Sequence, residues 1–150
     1  LLENPESPFA MKGAVSLKRH DCIHMVLGRG LLNQDEAFVI GFTMGTSKDI
    51  SAIESFIFKV FSGNFYPKKY RFSPDQIKAY HIGLEMGKIS DCTKIHEIPL
   101  EEKMQDTLGN IRSELGVDSE ALKRAYAYET TIIPNTNASK RLLEKLNDVK

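Results

Sequence analysis

The string His20-Asp21-Cys22-Ile23-His24 sets two imidazoles four residues apart, with a carboxylate beside the first. On an α-helix, positions four apart lie one turn from each other on the same face, so both rings can reach one point. Two imidazoles at that spacing form a ligand pair for a divalent metal. Asp21 can add an oxygen ligand or, one shell out, orient a ring. Gly28 and Gly30 then let the chain reverse, so that a second helix brings Glu36 back toward the pair. His20, Asp21, His24 and Glu36 would make a nitrogen–oxygen donor set. Zinc, iron and manganese suit it; soft copper(I) does not.

Such a site needs two helices and a tight turn, and the pattern supplies them. After an extended lead-in over residues 1–11, helical periodicity runs over 15–27 and stops at Gly28-Arg29-Gly30. A second helix is predicted over 34–44, with Asn33 as its cap and Asp35 and Glu36 in the first turn, where negative charge complements the helix dipole. Asp49 caps a third, whose stripe is Ile50, Ile53, Ile57 and Phe61 and whose stop is Gly63-Asn64; a loop over 65–72 follows. Ser73-Pro74-Asp75-Gln76 is a capping box with proline at the first helical position. It opens a fourth helix to about Lys88 that buries Ile77, His81 and Leu84 if the period holds.

Pro99 opens a fifth helix carrying Met104, Leu108, Ile111 and Leu115, which Gly116 closes. Asp118 or Ser119 caps a sixth to Tyr126. The β-branched run Thr130-Thr131-Ile132-Ile133 is cut short by Pro134-Asn135, and a last helix over 138–147 places Leu142, Leu143 and Leu146 on one side. With no repeat and no hairpin signal, the expected fold is all-α. Residues 1–150 read as one metal-binding domain, a bundle of about six to seven helices.

Composition narrows the function. The 20 basic and 20 acidic residues cancel, which argues against a nucleic-acid surface. The 41% hydrophobic content suits one core, and no apolar run nears the roughly 20 residues that span a bilayer. Cys22 and Cys92 make no disulfide framework, which points to a reducing, cytoplasmic setting. The chain opens on Leu1 rather than Met, which leaves room for an upstream segment, so no targeting signal is read from it.

Other features weigh less. His96 lies four residues after Cys92, a second ligand spacing that we attribute to chance, and His81 reads as a core histidine. Gly41-x-x-x-Gly45 permits close helix packing. Phe56, Phe58, Phe61, Phe65 and Phe72 crowd together with Tyr66 and Tyr70, among Lys59, Lys68, Lys69 and Arg71. Phe58 falls off the third helix's stripe. It therefore marks a surface suited to lipid, a prenyl chain or a second copy of the chain in a homodimer.

His-Asp-x-x-His, then eleven residues, then Glu resembles the signature of the Coq-four family of coenzyme Q (ubiquinone) biosynthesis proteins, matched here by His20, Asp21, His24 and Glu36. Gly28 stands where that family also has a glycine, and Ile111-Arg112-Ser113-Glu114-Leu115-Gly116-Val117 is similar to its C-terminal helix ending. The resemblance implies an α-helical fold and a metal, usually zinc, at those four residues. It also implies association with prenylated quinone precursors. Peripheral work at the inner face of a membrane would follow, on the matrix side in a mitochondrion. The role implied is organiser of the pathway's enzymes, or removal of a ring substituent in C1-decarboxylation-type chemistry.

Two other classes compete. A free-standing metallohydrolase would use Asp21 or Glu36 as base, but Asp21 is shorter than the glutamate of His-Glu-x-x-His proteases, and no histidine precedes His20 for a His-Asp phosphohydrolase site. A non-catalytic scaffold would use the metal to staple two helices. Closed four-ligand coordination favours the scaffold, and an open position favours the enzyme.

Overall fold

A computed structural model describes residues 8–47 and 73–147, those before 18 for their backbone alone. Among the described residues there are six α-helices, two short 3-10 turns and no strand. We number the helices α1 (Pro8–Leu27), α2 (Asn33–Thr46), α3 (Pro74–Ile89), α4 (Leu108–Leu115), α5 (Ser119–Ile132) and α6 (Asn137–Asn147). The expected all-α bundle is the observed one. The predicted third helix from Asp49, its stripe and stop, the following loop and the aromatic cluster with Phe58 lie outside the described residues.

Helix α1 starts earlier than the periodicity suggested. Pro8 takes its first position, where a preset φ and a missing N–H cost nothing, so residues 8–11 are helical rather than extended. It ends in a Schellman motif: Gly28 adopts φ +68°, its N–H meets the Met25 carbonyl at 3.1 Å, and the Arg29 N–H meets the His24 carbonyl at 2.9 Å. Gly30 keeps an ordinary φ, so one glycine makes the stop. Helix α2 is capped differently from expectation. Leu32 is the capping residue rather than Asn33, and the Asp35 carboxylate accepts the Leu32 N–H at 3.1 Å.

Helices α2 and α3 pack backbone against backbone. A Cβ added at Gly41 would lie 2.1 Å from the Tyr80 carbonyl oxygen; at Gly45, 2.2 Å from that of Leu84. The reciprocal glycines behave alike, with Gly83 facing the Phe38 carbonyl oxygen at 2.1 Å and Gly87 that of Phe42 at 2.3 Å. Gly41-x-x-x-Gly45 therefore meets a second such pair, Gly83-x-x-x-Gly87, and each helix uses its glycine stripe as its contact face. That choice shifts the phase expected of α3. The buried line is Ala79, Gly83 and Gly87, leaving Ile77 and His81 exposed and Leu84 half-buried. His81 is not a core histidine; its ring lies edge-on to Tyr80 at 5.3 Å.

The remaining helices close the core. The Ser73–Gln76 capping box is present in both directions, at 3.3 Å and 2.9 Å. Pro99 opens only the 3-10 turn Leu100–Glu102, and α4 waits for Thr107, whose hydroxyl accepts the Asn110 N–H at 3.2 Å. Gly116, at φ +78°, ends α4 by the same motif as Gly28, and Asp118 caps α5. The β-branched run is the last turn of α5, with Thr130 and Thr131 hydroxyls bonded back to carbonyls three residues earlier. Leu142 is buried in α6, whereas Leu143 is exposed. Ile23, Val26, Leu27, Phe38, Phe42, Ile95, Leu100, Ile111, Leu122 and Tyr126 form the main core, around the α1–α2 junction.

Candidate metal centre

Three of the four motif residues converge. The Nε2 atoms of His20 and His24 lie 3.2 Å apart, with Glu36 Oε1 2.6 Å from the first and Oε2 2.8 Å from the second. Tetrahedral coordination with bonds of about 2.0–2.1 Å separates neighbouring ligand atoms by about 3.3 Å, so the imidazole pair already has the right spacing. Glu36 sits at hydrogen-bonding distance and would draw back slightly around an ion. Asp21 is exposed, and its carboxylate is not among the convergent atoms. The side chain of His24 is almost wholly buried, while those of His20 and Glu36 are about one quarter open, so the centre faces solvent on their side.

The ring of His24 is fixed from behind. Its Nδ1 lies 2.8 Å from the Gly30 carbonyl oxygen, which can only accept, so Nδ1 carries a proton and Nε2 is the atom offered to the centre. Metal-ligating histidines characteristically donate their second N–H in this way. Without an ion, both ring nitrogens of His24 face acceptors. Burial pushes its pKa down, but the hydrogen bond and charge of Glu36, with the Gly30 bond, outweigh it and leave the value raised. Burial likewise pushes Glu36 up, yet its bonds to His20 and His24 dominate and hold it at about 2. A proton and a metal ion thus compete for His24 Nε2.

The stability consequence has opposite signs with and without metal. In the metal-free protein, the raised His24 contributes fully below its ordinary value of 6.5 and loses that contribution as pH rises through its folded value. The lowered Glu36 contributes above 4.5 and loses its share as pH falls toward about 2. The pair is therefore most stabilising between 4.5 and 6.5. Metal needs a neutral imidazole, so its stabilisation falls over the same acidifying interval. Thermal unfolding of chelated and zinc-supplemented protein between about pH 8 and 5.5 should give melting temperatures that converge toward acid. Parallel curves would count against binding at this site.

Beneath the centre lies a buried ionic network that the sequence reading did not single out. The Arg29 side chain, wholly inaccessible, places Nε 3.0 Å from Asp35 Oδ1 and its two terminal nitrogens 2.8 Å from each oxygen of Glu129. Its guanidinium also stacks over Phe38 and Tyr126, at 4.6 and 5.0 Å from the ring centroids. Gln34 donates to Glu129 at 2.7 Å and to Ser139 at 3.1 Å, and accepts from Thr136 at 2.6 Å. One signal for this was available in the sequence. Leu122, Ala125, Tyr126, Glu129 and Ile133 follow a helical period, which put Glu129 on a buried apolar face where a lone carboxylate must have a partner.

The end of α1 is held from outside as well. Arg112 Nε donates to the Val26 carbonyl at 2.6 Å, the Tyr126 hydroxyl to that of Leu27, and Lys145 Nζ to that of Gly28. Three later helices thus cover carbonyls that a helix end leaves open, and two bring positive charge to the negative end of its dipole. Cys92, by contrast, is a core thiol pushed up to about 11 by burial, and neither it nor His96 joins a convergent ligand group among the described residues. No helix among the described residues is long and apolar enough to cross a membrane. No protein-family model matches the chain, and no curated protein or solved structure matches it significantly.

Proposed function

We propose that this chain is a metal-bearing helical protein of the ubiquinone-biosynthesis type, holding a divalent ion, zinc by preference, on His20, His24 and Glu36. The observation that carries the metal reading is the meeting of three ligand atoms from two helices, with His24 Nδ1–H anchored on the Gly30 carbonyl. The spacing of the whole motif supports the pathway reading, since Glu36 meets the imidazole pair across the turn that Gly28 makes. Met25 and Leu31 are exposed apolar side chains just after His24 and Gly30, which suits a substrate with an isoprenoid tail near a membrane surface.

Three protein ligands among the described residues also favour a reactive role over a structural staple, because structural zinc sites are usually closed by four. Bound there, the ion would act as a Lewis acid on a substrate oxygen. The chain's own contribution is to fix the ligand rings, present His24 Nε2 to the centre through the Nδ1–H bond to Gly30, and leave the His20–Glu36 side open.

Elemental analysis of purified protein, combined with mass spectrometry of co-purifying lipid, tests both halves. The expected result is close to one zinc, iron or manganese per chain, lost in His24→Ala with helicity largely retained, and a prenylated aromatic lipid in the extract. Metal retained by His24→Ala would sink the site. A metal-replete protein carrying no isoprenoid lipid, and taking up none from prenylquinone-doped vesicles, would sink the pathway reading and leave the metallohydrolase in its place.

A further inference from the structure

We propose that the buried Arg29–Glu129 pair is the positioning element of the metal centre: it sets where Glu36 and His24 present their ligand atoms, acting through Asp35 and the Gly30 carbonyl. This inference rests on the metal-binding reading above. Two routes run from Arg29 to the ligands, and both are short. Along the first, Arg29 Nε holds Asp35 Oδ1 while Oδ2 takes the Leu32 N–H, so the carboxylate next to Glu36 pins the first turn of α2. Along the second, the Arg29 backbone closes the end of α1 on the His24 carbonyl, and its neighbour Gly30 holds the His24 ring at 2.8 Å.

Segment 29–36 is therefore a loop closed on itself through one guanidinium. The charged group that anchors this guanidinium to the rest of the molecule is Glu129, one hundred residues on, with an oxygen for each terminal nitrogen at 2.8 Å. Two-point binding of this kind fixes a plane as well as a distance. A buried ion pair is a poor source of stability compared with apolar packing, and its contribution here is the orientation that two parallel bonds impose. Glu129 and Arg29 are positioning residues here: neither touches the site at which the ion would sit.

The test uses the whole chain, stripped of metal and titrated with cobalt(II), read by its visible ligand-field spectrum, and with zinc(II) against a chromophoric chelator. The variants are Glu129→Gln, which keeps the shape and removes the charge, and Arg29→Lys, which keeps the charge and removes the fork. Leu122→Ala, in the core two turns before Glu129, is the control for lost stability alone. We expect zinc affinity to fall about 10- to 100-fold in both network variants, the magnitude typical of groups behind metal ligands, with a changed cobalt spectrum. Leu122→Ala should lower the melting temperature yet keep affinity within about twofold and the spectrum unaltered.

If Glu129→Gln does not fold, Arg29→Lys carries the comparison. Network variants that match the parent in affinity and spectrum would overturn the proposal, as would a control that weakens binding equally. Failure of the parent reading looks different. A parent chain that takes up neither cobalt nor zinc removes the metal centre and this inference with it. A parent whose binding is abolished by His24→Ala but untouched by the network variants removes this inference alone.

Discussion

Replacing Arg29 with methionine should cost about 3–5 kcal/mol of folding stability, the scale seen when one partner of a buried ion pair is removed. Methionine fills much of the same space and can still pack on Phe38 and Tyr126, so the loss does not come from a cavity. It comes from Glu129, which has no accessible surface and would keep only the Gln34 amide as a donor. Asp35, also buried, would keep only the Leu32 N–H. Domains of this size have about 5–15 kcal/mol in hand, so the variant should sit near the edge of folding. Adding Glu129→Leu removes the stranded carboxylate and should recover much of the loss. Urea denaturation of the single and double variants decides the matter: a single-variant cost below about 1 kcal/mol would mean that losing Arg29 does not strand the Glu129 carboxylate.

The second large effect is expected at the glycine contact. Gly83→Ala places a methyl group 2.1 Å from the Phe38 carbonyl oxygen, and the obstacle is backbone, which no rotamer change can move. Helices α2 and α3 must separate, opening gaps along the whole contact. We expect a cost of about 3 kcal/mol, at the upper end for overpacking, despite alanine's better helix propensity. Gly109→Ala is the matched comparison, since nothing lies within 4 Å of its added Cβ. It should stabilise by about 0.4–1 kcal/mol through the unfolded chain. Equal and small effects at both positions would show that the two helices are not in backbone contact.

How legible this molecule was depends on what kind of physics each feature rests on. The stops at Gly28 and Gly116 and the capping box at Ser73 are local, set by one backbone conformation or one side chain, and each was readable from its own few residues. The proximity of His20, His24 and Glu36 was legible because a helix repeat and a short reversal bring them to one turn, again locally. Helix α3 was misphased because its buried face is made of glycines, which carry no hydrophobic signal; Ile77 looks like core only if larger means inner. Pro99 misled because a proline that begins a turn need not begin a helix. The Arg29–Glu129 pair joins residues a hundred positions apart, and nothing around Arg29 names its partner.

Arg112, Tyr126 and Lys145, which cover the end of α1, also set an order of events for a growing chain. At a synthesis rate of about 5–20 residues per second, the histidines emerge several seconds before Lys145 does. Before the later residues emerge, the Leu27 carbonyl has no tyrosine, the Arg29 guanidinium no Glu129 and, last of the three, the Gly28 carbonyl no lysine. The ligand turn is thus completed by groups that lie about a hundred residues after it in the sequence. Long closures of this kind are entropically slow, so the support behind the centre should set after the locally capped turns do. Metal encountered by the nascent chain would meet two loose imidazoles on a fraying helix, and the fully supported donor set would become available only once α6 has docked.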